Sequence, residues 1–416
     1  YINTQKQLNM KRLLIIICLV SLFISGIAQN KSEDIPVLFK QTFKEVADAR
    51  KQGNYKQGEK LWFRLLKKYN SLPEDIKNKY KWTEANIYYN PACLHSILNK
   101  DKEAIITLRK AIDSGWSGYN GCSGYNWILK DSDFDNMRQN KEFQSLIQSL
   151  KEMYDYPYIL SQSGKYTSEN TDSLPAFTYM NPNDSNLVRI REYFNLDSIA
   201  GCGDEISKIK NLLLWVHNIV PHDGNSYNPK EKNTIAIVNL CKAENRGVNC
   251  RMLAQMLNEC YLAMGFKSRY VTCNPKVYIN DCHVINAVYS NTLDKWLWMD
   301  PTNNAYVMDE NGNLLGIAEV RERLRKNLPL VLNEDANWNN KEKQTKESYL
   351  DSYMAKNLYY VSCITTSEYN AETNYEGKKA RIYIDLVPSG FVPDKKLRGQ
   401  YQTSNPSYFW QSPYQN

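Results

Sequence analysis

Gly247-Val-Asn-Cys250-Arg-Met-Leu-Ala254, Asn280-Asp-Cys-His283-Val-Ile-Asn286 and Trp296-Leu-Trp-Met-Asp300-Pro-Thr-Asn303 share one stretch of the chain. They set a thiol, an imidazole and a carboxylate in that order. Cys250 follows Gly247 and Asn249, residues suited to a turn and to a helix N-cap. It opens a run in which Leu253, Met256, Leu257, Cys260 and Met264 recur at three- and four-residue spacing. The spacing predicts an amphipathic helix ending at Gly265. A thiol at its start meets the positive end of the helix dipole and unpaired backbone N–H groups, and both favour thiolate.

Downstream, 268–273, 283–289 and 295–299 are short, rich in β-branched and aromatic residues, and separated by Asn-, Asp- and Pro-containing turns. They read as strands. A helix packed on an antiparallel sheet can set a helix-start Cys beside a His on one strand, with a carboxylate on the next strand to orient the ring. Taken singly, each residue has a plainer reading: a packed histidine, a structural thiol, an aspartate that starts a turn.

Taken together, Gly-Val-Asn-Cys250-Arg, Asp-Cys-His283-Val and Trp-Met-Asp300-Pro-Thr resemble the core of the transglutaminase-like superfamily, over roughly Ile206 to Ala305. The resemblance implies an α+β, papain-like fold. It implies Cys250 as nucleophile, His283 as general base and acid, and Asp300 as the orienting carboxylate. Such a triad performs acyl transfer at amides of a peptide or protein substrate through a thioester, ending in hydrolysis or transamidation. No metal or other cofactor is needed. Calcium serves some animal relatives, but no Asp/Glu-rich loop of the usual ligand spacing appears here.

The N-terminus points to export. After Met10 come Lys11-Arg12, an apolar run from Leu13 to Ile24, and small residues at Gly26 and Ala28. That is the pattern of a secretory signal peptide, cleaved after Ala28. The run is too short for a comfortable membrane span, and Cys18 lies too early in it for a lipid-attachment site. Export predicts a periplasmic or extracellular protein. The net charge of +7 falls to +4 without Lys6, Lys11 and Arg12. No long block of one sign remains, so nothing argues for nucleic acid or a membrane surface.

Nine cysteines follow the signal segment, at 93, 122, 202, 241, 250, 260, 273, 282 and 363. An odd count in an oxidising compartment leaves one unpaired, which suits Cys250. Cys260 and Cys282 read as buried free thiols, and no spacing supports a metal site.

The remaining chain divides by pattern into residues 1–28 (upstream residues and signal), 35–150 (helical), 151–200 (linker or wrap), 201–330 (the core with the triad) and 331–416 (a β-containing extension). Within 35–150, Tyr-Asn-x-Ala-Cys93 and Ala104-Ile-x-x-Leu-x-Lys-Ala-Ile112 resemble a tetratricopeptide unit, whose paired helices often bind protein partners. Residues 156–184, rich in Ser, Thr, Asn and Pro, read as non-helical. Ile206 to Val220 reads as an amphipathic helix. His217 and His222, on and after it, are assigned surface and turn roles, and Trp215 a core role rather than that of an oxyanion donor. Asp335 to Lys346 reads as a polar loop and Ser348 to Leu358 as a helix.

Two further functions compete with the enzyme. One is a catalytically silent transglutaminase-like binding module; the other is a scaffold in which the N-terminal helices do the work.

Overall fold

The computed structural model describes residues 35–119, 122–168, 173–278, 281–394 and 396–414; the signal-peptide segment Met10 to Ala28 lies outside them. The chain forms two units, one of residues up to Tyr154 and one from Asp155 onward.

The first unit is helical. A helix over 35–51 is followed by Tyr55–Asn70, Lys81–Ile97, Asp101–Asp113 and Lys141–Tyr154. Each carries an apolar stripe that must be covered by a neighbour. Trp62, Leu65 and Leu94 fill one core, and Tyr89, Leu108, Phe134 and Phe143 fill another. Tyr89 stacks on Trp116 with ring centroids 4.0 Å apart. Arg50 holds Asp133 through two hydrogen bonds of 2.7 and 2.8 Å.

The second unit is α+β. Its sheet comprises β1 (Ser268–Asn274), β2 (His283–Ser290), β3 (Lys295–Met299), β4 (Tyr360–Ile364), β5 (Tyr383–Leu386) and β6 (Tyr401–Thr403), in the spatial order β6-β5-β4-β1-β2-β3. All pairs are antiparallel except the edge pair β5–β6, which is parallel. The strands of the C-terminal extension therefore continue the triad-bearing sheet, because β4 pairs directly with β1.

The helix Cys250–Ala263 lies against the middle of this sheet. It differs from the amphipathic expectation in being buried on all sides from Met252 to Ala263. Strands cover one side, and the helices Glu205–Ile219 and Thr234–Glu244 share the core on the other. Its polar residues survive burial because each finds partners. Glu259 accepts from Thr234 N, Thr234 Oγ1, Gln255 Nε2 and Asn370 N at 2.6–2.9 Å, and Asn258 Nδ2 donates to Ser367 Oγ at 2.9 Å.

Three local readings change. Residues 156–184 include the helix Tyr156–Ser161, which Asp155 caps by accepting from Tyr158 N and which carries Pro157 in its first turn, where a missing N–H costs nothing. The 335–346 loop holds a small antiparallel pair, Asn337–Trp338 with Glu342–Lys343. The helix expected at 348–358 is largely a π-helix, Lys346–Met354. Among the described residues no helix is long and apolar enough to cross a membrane.

Candidate active site

Cys250 occupies the first position of its helix, with Asn249 as the N-cap accepting from Met252 N at 3.2 Å. Gly247 is required just before it. A Cβ there would collide with the Pro221 carbonyl oxygen and crowd Asp223. The close approach lets Val248 pair in parallel with His222: Val248 N donates to Pro221 O at 3.1 Å and Asp223 N to Val248 O at 2.8 Å.

The sheet brings the imidazole and the carboxylate together. β2 and β3 run antiparallel with Asn286 opposite Met299, so His283 at the start of β2 lies beside Asp300 just past the end of β3. One step beyond that register Asp300 falls opposite Ile285, two residues from His283, and the two-residue period sends both side chains to one face. His283 Nε2 sits 2.7 Å from Asp300 Oδ2. That leaves Nδ1 for the thiol.

Asp300 is fully buried, which by itself opposes its charge. The surrounding donors outweigh burial and hold the carboxyl below its ordinary range: the His283 ring, Asn303 Nδ2 at 2.9 Å and Tyr349 Oη at 2.7 Å on Oδ2, with Thr302 N at 2.9 Å on Oδ1. Tyr349 comes from the π-helix. One turn on, Tyr353 packs edge-on against the His283 ring with centroids 5.2 Å apart. Single-turn π distortions concentrate at functional sites, and here the wider turn sets two tyrosines on the imidazole–carboxylate pair.

At Cys250, burial pushes the thiol up, but hydrogen bonds from His222 and His283, with the charge of the His283 ring, outweigh it and bring the pKa to about 6. At His283, burial opposes protonation, and Asp300 and the Cys250 sulfur overcome it, raising the ring to about 10. A thiolate–imidazolium pair is the resting form between those values, the two groups titrating as a unit. As pH rises through about 6 the pair's thiol becomes thiolate, and through about 10 the ring loses its proton. Alkylation of Cys250 by iodoacetamide is therefore expected to rise with a midpoint near pH 6 and hold to about pH 10; a midpoint at pH 8 or above would rule out the pair. Cys260 and Cys273, buried without such partners, are pushed well up and stay unreactive over that range.

The three residues singled out in the sequence thus converge. Two histidines depart from their expected roles. His217 is buried rather than on the helix surface; its ring lies 3.0 Å from both Pro301 O and Asn337 Oδ1, tying the turn after Asp300 to the 337–338 strand. His222 is not merely a turn residue, since it pairs with Val248 beside the nucleophile helix and is among the groups that bring the Cys250 thiol down. The only local signal for it was a Pro-His-Asp-Gly turn directly after a helix. Tyr349 carried no signal at all. Trp215 packs edge-on against Phe194 at 5.0 Å, in its core role.

Cys93, Cys202, Cys241, Cys250, Cys260, Cys273, Cys282 and Cys363 are free thiols. Cys282 is partly exposed and, with Thr272, borders a cleft of about 300 Å³ that Tyr360, Phe391 and Arg398 also line. A second cavity of about 380 Å³, at Tyr289, Trp296 and Trp410, lies at the far ends of β2 and β3 from His283.

Residues 194–301 match the family model described as the transglutaminase-like superfamily. A crystal structure of a candidate cysteine protease from Cytophaga hutchinsonii is similar at 17% identity over 40% of this chain and 57% of that chain, with a TM-score of 0.23. The match thus spans just over half the length of that solved structure. No curated protein matches the chain.

Proposed function

We propose, for a chain whose residues 194–301 belong to the transglutaminase-like superfamily, an exported cysteine-nucleophile enzyme that transfers acyl groups from peptide or protein amides through a thioester on Cys250. The observation that carries this reading is the buried imidazole with a carboxylate at 2.7 Å on one nitrogen and the thiol on the other.

The chemistry follows from that chain of contacts. The Cys250 thiolate pair forms an S–C bond at the amide carbonyl, and the carbonyl π pair moves onto oxygen. As the carbonyl re-forms, the C–N bond breaks and His283 gives its proton to the departing amine. The thioester is then attacked by water or by an amine. His283 takes the proton of the attacker, and the thiolate leaves. Asp300 keeps the ring oriented and stabilises the imidazolium throughout, without itself taking a proton. The Cys250 backbone N–H, which has no intrahelical carbonyl to bind at the first helical position, faces the developing oxyanion.

Incubation of the protein with a glutaminyl peptide and a labelled primary amine separates the outcomes. Incorporation of the amine without scission is expected of a transamidase, and backbone scission of a peptidase. If neither reaction occurs with a panel of peptides, and Cys250 shows ordinary thiol reactivity, the enzyme reading falls and a binding module replaces it. The N-terminal helices are then the natural surface for a protein partner.

A further inference from the structure

Two imidazoles reach one sulfur, and they are wired differently. On His283 the far nitrogen meets a carboxylate. On His222 it meets a donor: Trp338 Nε1 lies 3.0 Å from His222 Nδ1. An indole N–H can only donate, so Nδ1 accepts and the ring proton sits on Nε2. The ring is left with one donor, Nε2–H, on the segment that pairs with Val248 two residues before Cys250, the thiol whose ionisation this ring favours.

The ring is also held on a built frame. His222 N donates to Asn339 Oδ1 at 2.7 Å and Asn339 Nδ2 donates back to His222 O at 2.9 Å. The pairing with Val248 fixes the same segment two residues before Cys250. Donors fixed before the reaction need no reorganisation when charge appears.

We infer that His222 is the second oxyanion donor, acting through Nε2–H beside the Cys250 backbone N–H; the assignment rests on the acyl-transfer reading above. In the resting enzyme the Nε2–H faces the thiolate. When the sulfur pair forms the S–C bond and the carbonyl pair moves to oxygen, the negative charge moves to an atom joined to the same carbon. The N–H that faced sulfur then faces oxygen. His283 carries the proton while His222 lends one without giving it up, so the two rings are not interchangeable. Trp338 is a positioning residue that sets the tautomer.

The test compares a reaction that makes an oxyanion with one that does not. Cys250 is acylated with p-nitrophenyl acetate and, separately, alkylated with iodoacetamide, both at pH 9, well above the thiol's value of about 6. His222→Ala is expected to slow acylation about a hundredfold and alkylation less than about threefold. His222→Gln, which returns an N–H at similar reach, should recover at least about tenfold of the acylation rate. Trp338→Phe should slow acylation by roughly fivefold, the scale of one lost hydrogen bond, and leave alkylation alone. Equal losses in both reactions, or undiminished acylation in His222→Ala, would overturn the assignment and leave His222 a partner of the thiolate only. A wild-type protein that alkylates fast but is never acylated would instead sink the acyl-transfer reading, and the assignment with it. The alkylation rate also reports that each variant is folded around Cys250.

Discussion

Cys250→Ala and His283→Ala are each expected to lower acyl transfer by about ten-thousandfold or more, and the double variant to lose no more than the worse single one. The reason is that thiolate and imidazolium exist as a pair. Burial opposes charge on both; His222 and His283 together hold the thiolate, and Asp300 and the Cys250 sulfur together hold the imidazolium. Without His283, one of the two rings that counter burial of the sulfur is gone, so the thiol's pKa rises above 6 and its proton loses its acceptor. Without Cys250, the imidazolium has nothing to attack with. Single and double variants assayed on an activated ester, with circular dichroism to verify folding, measure this. Multiplicative losses in the double variant would mean that the two residues act independently and that the pair is not the catalytic unit.

Asp300→Asn is expected to cost about a thousand- to ten-thousandfold while leaving the other triad members in place. The Asp300 carboxylate accepts from His283, Tyr349, Asn303 and the Thr302 backbone. An amide must either turn its NH2 toward a donor or present its oxygen without the charge. Either way the ring loses the largest influence that raises it. The sign is fixed: with Asp300 removed, burial pulls the His283 pKa down from about 10, so the alkaline limb of the pH–rate profile moves toward neutral pH. An unchanged alkaline limb, whatever the rate, would show that Asp300 does not set the protonation of the ring.

Much of this arrangement was legible in the sequence because its causes are local. Asn249 caps the helix it precedes, the apolar spacing from Leu253 to Met264 makes that helix, and the alternating runs at 268–273, 283–289 and 295–299 make the strands. The order Cys, His, Asp then matches a helix followed by antiparallel strands. The helix's complete burial was not legible, since the apolar spacing predicted an amphipathic helix and Gln255, Asn258 and Glu259 are polar. Their partners, Thr234, Ser367 and Asn370, are distant in sequence, and only the fold supplies them.

The same distance hid the supporting groups of the site. Tyr349 lies 49 residues beyond Asp300 in a segment read simply as helical, and the π-helical turn that aims it at the carboxylate has no signature in its composition. His222 lies in a turn whose chemistry depends on Trp338, 116 residues later, in a stretch read as a polar loop. A lone histidine carries no indication of which nitrogen bears its proton. That is decided by the neighbour across the ring.

The sequence by itself determined that Cys250 opens a helix, that His283 opens a strand and that Asp300 follows one, because these positions are written in nearby residues and their spacing; the proposed roles of nucleophile, base and orienting acid come from the family resemblance. Tertiary structure alone decided what faces each ring nitrogen of His283 and His222 and what holds the carboxylate. Those properties depend on desolvation and on partners brought within 3 Å from segments separated by tens to more than a hundred residues, and no local pattern in the chain encodes such a contact.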